Sequence, residues 1–124
     1  MEGHEASSFR ALAARLNYLA VDRADILFAS KEVSRGMSNP KNGNWEGLKR
    51  LCRYLISTPR LVHFYEWQEM PRHLSVYCDS DWAGCRKTRK STSGGCFMHG
   101  THLLKAYAKT QANIALSSGG GRVL

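Results

Sequence analysis

A chain of 124 residues, 43% apolar and 23% charged, is long enough for one compact domain or two very small ones and too apolar for wholesale disorder. Arg, Asp or Lys breaks every long apolar stretch, which excludes a membrane-spanning helix, and Met1-Glu2-Gly3-His4-Glu5 lacks the cationic start and apolar core of a signal peptide. Eighteen Lys and Arg against 10 Asp and Glu give a formal charge of +8 and an isoelectric point near 9.6, suited to a polyanionic partner such as nucleic acid, or simply to a soluble basic surface. The expected setting is intracellular, cytoplasmic or nuclear, without a membrane partner.

In chain order, Phe9, Leu12, Leu16 and Leu19 recur at helical spacing and predict a first helix from Ser8 to about Ala20, with Ser7 or Ser8 placed to cap it. Asp22-Arg23-Ala24-Asp25 offers an N-cap Asp and a second carboxylate for a helix running through Ile26, Leu27, Ala29 and Val33 to Gly36. After the turn at Asn39-Pro40, Trp45, Leu48, Cys52 and Leu55 mark the buried stripe of a third helix that Thr58-Pro59 stops. Lys49, Arg50 and Arg53 fall largely off that stripe and form a basic solvent face.

Beyond Pro59 the period becomes strand-like, in Leu61 to Trp67 and again in Leu74 to Asp79, with a boundary near Pro71. Ser93 to Met98 and His102 to Lys109 read as two more strands, joined by His99-Gly100-Thr101, which carries the glycine a hairpin turn wants. Helices precede strands rather than alternating with them, so the fold class expected is α+β. Cys52, Cys78, Cys85 and Cys96 have no paired spacing and are expected as reduced thiols. A zinc-binding module sketched from Cys85, Cys96, His99 and His102 is a weaker alternative, because no Cys-x-x-Cys or His-x3-His unit anchors it.

Asp79-Ser80-Asp81-Trp82-Ala83-Gly84 puts two carboxylates at the end of a strand, where a turn leaves them accessible. Hard oxygen ligands on a rigid strand end suit Mg²⁺, although ordinary turn-forming aspartates share this pattern. Arg86, Lys87, Arg89 and Lys90 follow as a basic loop. Trp82 beside it is placed to stack on a base or to pack.

This motif, the following Arg86 to Gly95, and Lys109-Thr110-Gln111 through Ala115-Leu116-Ser117-Ser118 resemble the ribonuclease H segment of Ty1/copia-type retrotransposon Pol polyproteins. Phe9 to Ala20, Arg23 to Ile26 and Trp45 to Leu55 resemble the stretch just before it, the end of the reverse transcriptase region, so the likeness runs from about residue 9 to 118 in the family's order. The resemblance implies three short helices followed by a mostly antiparallel, incomplete ribonuclease H-like sheet. Its implied divisions are residues 1–67 for the helical reverse transcriptase end with a first strand, 68–118 for the first half of ribonuclease H, and 119–124 for a degenerate Gly-rich tail.

The same resemblance makes Asp79 a vestigial Mg²⁺ ligand, with Asp81 at best an accessory. The family continues with a Glu-Ala-Glu-like unit, whereas here Gly119-Gly120-Gly121-Arg122 follows and Arg122 stands at the second metal ligand. Two-metal hydrolysis needs several converging carboxylates holding ions about 4 Å apart, and three glycines disfavour the helix that would bring them. The family's palm carboxylates lie upstream, no Asp-Asp dyad occurs, and Arg23-Ala24 replaces the usual Arg-Pro. The expectation is therefore a degenerate or frameshifted piece without catalysis or a cofactor of its own. Residual affinity for RNA or DNA would rest on Arg86, Lys87, Arg89 and Lys90, helped by Lys49, Arg50 and Arg53. The alternative is a transposon-derived chain recruited as a structural subunit. Either way, Leu74 to Asp79 is expected to leave one sheet edge open to a second copy or another protein.

Overall fold

Phe9, Ala13 and Leu16 share one face of α1 (Gly3–Leu19), and that face is buried against α2 (Leu27–Ser34) and α3 (Asn42–Ser57). The computed structural model describes residues 3–85 and 88–117, and the chain divides into two units, residues 1–62 and 63–124. The first unit is helical. Ala20, Ile26, Val33, Leu48 and Leu51 complete its core, with Leu12, Trp45, Cys52 and Leu55 packed around it. The periodicity marks this stripe on the first and third helices except at Leu19, which is 39% exposed, and Leu51, which is buried off the expected stripe.

The helix ends depart from expectation in two places. Helix α1 begins at Gly3 rather than Ser8, so the Ser7 hydroxyl, already inside it, donates to the Gly3 carbonyl at 3.1 Å instead of capping. The second helix is not capped by Asp22: it opens as a 3₁₀ turn, Ala24–Ile26, with no side-chain cap. The reason is a tertiary pairing. Arg23, 6% exposed, turns inward and donates through Nε and Nη2 to Asp25 at 2.9 and 2.7 Å. Its Nη2 also reaches the Thr58 carbonyl at 3.0 Å, and the Tyr54 hydroxyl donates to Asp25 at 2.8 Å. The hydrogen bond from Arg23, outweighing the cost of burial, holds the Asp25 carboxyl down to about 2. This cluster closes the end of α3 onto the start of the second helix.

In the second unit β1 (Leu74–Ser80), β2 (Thr92–His99) and β3 (His102–Thr110) form an antiparallel sheet in the order β1-β2-β3. Tyr77 lies opposite Cys96, Asp79 opposite Gly94, and a register shift between Phe97 and Met98 bends β2 before its turn. Gly100 holds that turn at φ +61°, the left-handed region glycine tolerates. The chain is thus α+β, as expected.

Leu61 to Trp67 is not a strand. Its alternation is genuine, but its bonds to the hairpin run through side chains rather than a backbone ladder: Tyr65 Oη donates to the Leu103 carbonyl at 3.3 Å, and the adjoining Gln68 bonds His99 and Thr101. Burial also differs between the units. Among the described residues of the second, those buried are Ala83, Cys85, Ser91, Thr92 and Ser93, small or polar, while Leu74, Val76 and Tyr77 on β1 are 52, 48 and 64% exposed. No helix among the described residues is long and apolar enough to cross a membrane.

Candidate functional site

The acidic motif sits where the pattern placed it, at the end of β1, but its two carboxylates do different things. Asp79 is exposed, and its Oδ1 accepts the N–H of Ser80 at 2.8 Å. Asp81 is committed to the loop: its Oδ1 accepts the backbone N–H of Thr92 in a short bond, while its own N–H donates to the Thr92 carbonyl at 3.1 Å. The other oxygen, Oδ2, lies directly where a Cβ on Gly84 would be. Glycine is therefore required at 84 for Asp81 to close the loop.

A buried polar seam completes the closure, one that the motif alone did not reveal. Ser91 Oγ accepts the N–H of Ala83 at 3.1 Å, the Ser91 carbonyl accepts the N–H of Gln111 at 2.8 Å, and Gln111 Nε2 donates to Ser93 Oγ at 2.8 Å. Trp82 is 53% exposed, and its indole N–H donates to the Ala115 carbonyl at 3.2 Å, which holds the segment after β3 against the motif. Serines in the strip Ser91 to Ser93 were the available signal, since buried hydroxyls require partners.

Gly84→Ala is expected to lower stability by about 1–3 kcal/mol through overpacking against Asp81. In an Asp81→Ala background the same change should cost far less. Chemical denaturation of the four proteins of this double-mutant cycle checks it, and additive effects would mean Asp81 does not occupy the space.

The basic residues fall into separate groups. Lys49, Arg50 and Arg53 are exposed on α3, with Lys49 held by Glu46 at 2.9 Å. Arg50 and Tyr54 border an open groove of about 330 Å³ whose apolar lining includes Ile26, Ala29 and Leu51. Arg89 is exposed on the second unit in a left-handed conformation, φ 56°, its N–H donating to the Cys85 carbonyl at 2.7 Å, and Lys90 beside it is half-buried. Arg86, Lys87 and the tail from Ser118, including Arg122, lie outside the described residues.

The zinc sketch does not assemble. Among the described residues no three His, Cys, Asp or Glu side chains come together to hold a metal ion. Cys85 Sγ accepts the Thr88 N–H at 3.4 Å, and His102 spends both ring nitrogens on hydrogen bonds. Asp79 and Asp81 likewise gain no third acidic partner among these residues.

Fold and site define an α+β chain of two small units with an acidic strand end followed by a basic loop. The chain is 36% identical over 113 residues to an uncharacterized mitochondrial protein of Arabidopsis thaliana, a match that covers 90% of the chain and 46% of that protein. It is 33% identical over 112 residues to the retrovirus-related Pol polyprotein from transposon RE2 of the same plant, covering 90% of the chain and 8% of the polyprotein. A secreted RxLR effector protein of Plasmopara viticola is 35% identical over 109 residues, covering 87% of the chain and 75% of the effector. No protein-family model and no solved structure matches. The chain's homology to part of a retrotransposon Pol polyprotein over 90% of its length supports a transposon-derived fragment. It spans under half of the mitochondrial protein and a small part of the polyprotein it matches.

Proposed function

We propose that this chain is a Ty1/copia-type Pol segment spanning the end of the reverse transcriptase region and the first half of a ribonuclease H-like domain, and that it binds RNA or DNA backbones weakly without hydrolysing them. In this reading residues 1–67 are the reverse transcriptase end, 68–118 the half ribonuclease H domain and 119–124 the degenerate tail. The observation that carries the non-catalytic part is the division of labour at the strand end. Both carboxylates are exposed, but Asp79 accepts only its neighbour's N–H whereas Asp81 is tied across the loop to Thr92, and the sequence has Arg122 where a second metal-binding glutamate belongs in the family pattern. Two carboxylates, one of them committed to closing the loop, fit part of a Mg²⁺ site and cannot position two ions.

Binding rests on phosphate neutralisation. The net charge of +8 and the exposed Arg50, Arg53 and Arg89, with Lys90 and the flanking Arg86 and Lys87, supply cations without a base-reading element. Binding of a labelled RNA/DNA hybrid or duplex is expected at low salt and should weaken by about 0.9 log units per log unit of salt for each duplex phosphate contacted. The same hybrid incubated with Mg²⁺ or Mn²⁺ should remain intact. Absence of any complex at low salt, or cleavage abolished by Asp79→Asn, would overturn the corresponding half of the proposal. We further propose the outer edge of β1, unpaired among the described residues, as a protein-pairing surface, since its apolar residues are half-exposed and β2 pairs with the opposite edge.

A further inference from the structure

The segment that precedes β1 is strapped to the β2–β3 turn by one amide and one imidazole. Gln68 Oε1 accepts both the backbone N–H of Thr101 at 3.0 Å and its hydroxyl at 3.1 Å. Gln68 Nε2 donates to the His99 carbonyl at 2.8 Å. A backbone N–H can only donate and a carbonyl can only accept, so two independent partners fix which end of the amide is which. That same Nε2 lies 3.0 Å from His102 Nδ1, and His102 Nε2 lies 2.7 Å from the Glu66 carbonyl. Nδ1 must therefore accept and Nε2 must carry the hydrogen. Tyr65 packs edge-on against this ring at 5.1 Å, and Gly100 leaves no room for a Cβ beside Gln68 Oε1.

We propose that His102 is a proton-operated latch for the strap: the docked strap requires the neutral imidazole with its hydrogen on Nε2, and a proton on Nδ1 releases it. Protonation would set an N–H against the Gln68 NH₂, donor against donor. The amide cannot rotate to help without losing Thr101 and His99 together. Acid therefore opposes docking and base favours it, because a proton on Nδ1 sets donor against donor. Other titratable or charged groups on the elements that meet His102 are His63, Glu66 and Glu69 on the strap, Arg72 and His73 ahead of β1, His99 at the end of β2, and Lys105 on β3. Glu66 contacts the ring through its backbone carbonyl.

The test is nuclear magnetic resonance on the full chain. Long-range ¹H–¹⁵N spectra should show the Nε2–H tautomer at the alkaline end. The Thr101 amide protection factor should fall between pH 8 and 5. Cys96, in the middle of β2, should keep its protection over that range. In His102→Asn, whose amide oxygen can accept from Gln68 but takes up no proton, protection of Thr101 should no longer depend on pH. An Nδ1–H tautomer, a pH-independent Thr101 in the native chain, joint loss of Cys96, or an unchanged acid loss in His102→Asn would each overturn the latch.

Discussion

Phe9→Ala should unfold most of the helical unit. Phe9 is fully buried, its ring 6.1 Å from that of Trp45 and tilted by 47°, so it joins α1 to α3 at the centre of the core. Truncating a buried Phe costs about 3–5 kcal/mol, from lost transfer energy and the cavity left behind. A unit of 62 residues has roughly 3–9 kcal/mol in total at the usual stability per residue. Removing Phe9 therefore takes away a large share of it or all of it. Far-UV circular dichroism and chemical denaturation should show strong loss of helix, whereas Tyr18→Ala, at a side chain 82% exposed on the same helix, should stay within about 0.5 kcal/mol. Equal effects of the two would mean that the core is not organised around Phe9.

The helical core was legible because its signal is local. Phe9, Leu12 and Leu16 on α1, and Trp45, Leu48, Cys52 and Leu55 on α3, recur at the helical period, and Thr58-Pro59 ends α3 where proline must. The hairpin was equally readable from alternation on either side of Gly100. What failed was decided by partners distant in sequence. Asp22 looks like a cap, but Arg23 reaches Thr58, 35 residues away, and the entry to the second helix follows that pairing. Leu61 to Trp67 alternates as a strand does, yet alternation specifies no ladder partner, and this segment meets the hairpin through the side chains of Tyr65 and the adjoining Gln68. At the acidic motif the residue types were visible and their roles were not. The contact between Asp81 and Gly84, three residues apart, and the bond from Thr92 distinguish the loop-closing carboxylate from Asp79.

The second large effect is expected at β1. Its ladder to β2 uses one edge, and among the described residues no strand pairs with the other, so a row of backbone N–H and C=O groups faces outward over seven residues. Such an edge is normally blunted by lysine, proline or a bulge, and Leu74-Ser75-Val76-Tyr77-Cys78-Asp79-Ser80 contains none of the three. Its single charge, Asp79, lies near one end, leaving the centre apolar on both faces: Val76 and Tyr77 point to opposite sides and are 48 and 64% exposed. Burial within the second unit is confined, among the described residues, to small and polar side chains, so pairing at β1 would add apolar contacts that the sheet otherwise lacks. Self-association is therefore the expected behaviour of the full chain, seen by size-exclusion chromatography with light scattering. Val76→Lys places a charge at the centre of the edge and should weaken association about tenfold or more, equivalent to at least about 1.4 kcal/mol. A well-dispersed monomer with a cooperative thermal transition, or association indifferent to Val76→Lys, would show that this edge is covered or that another surface makes the contact.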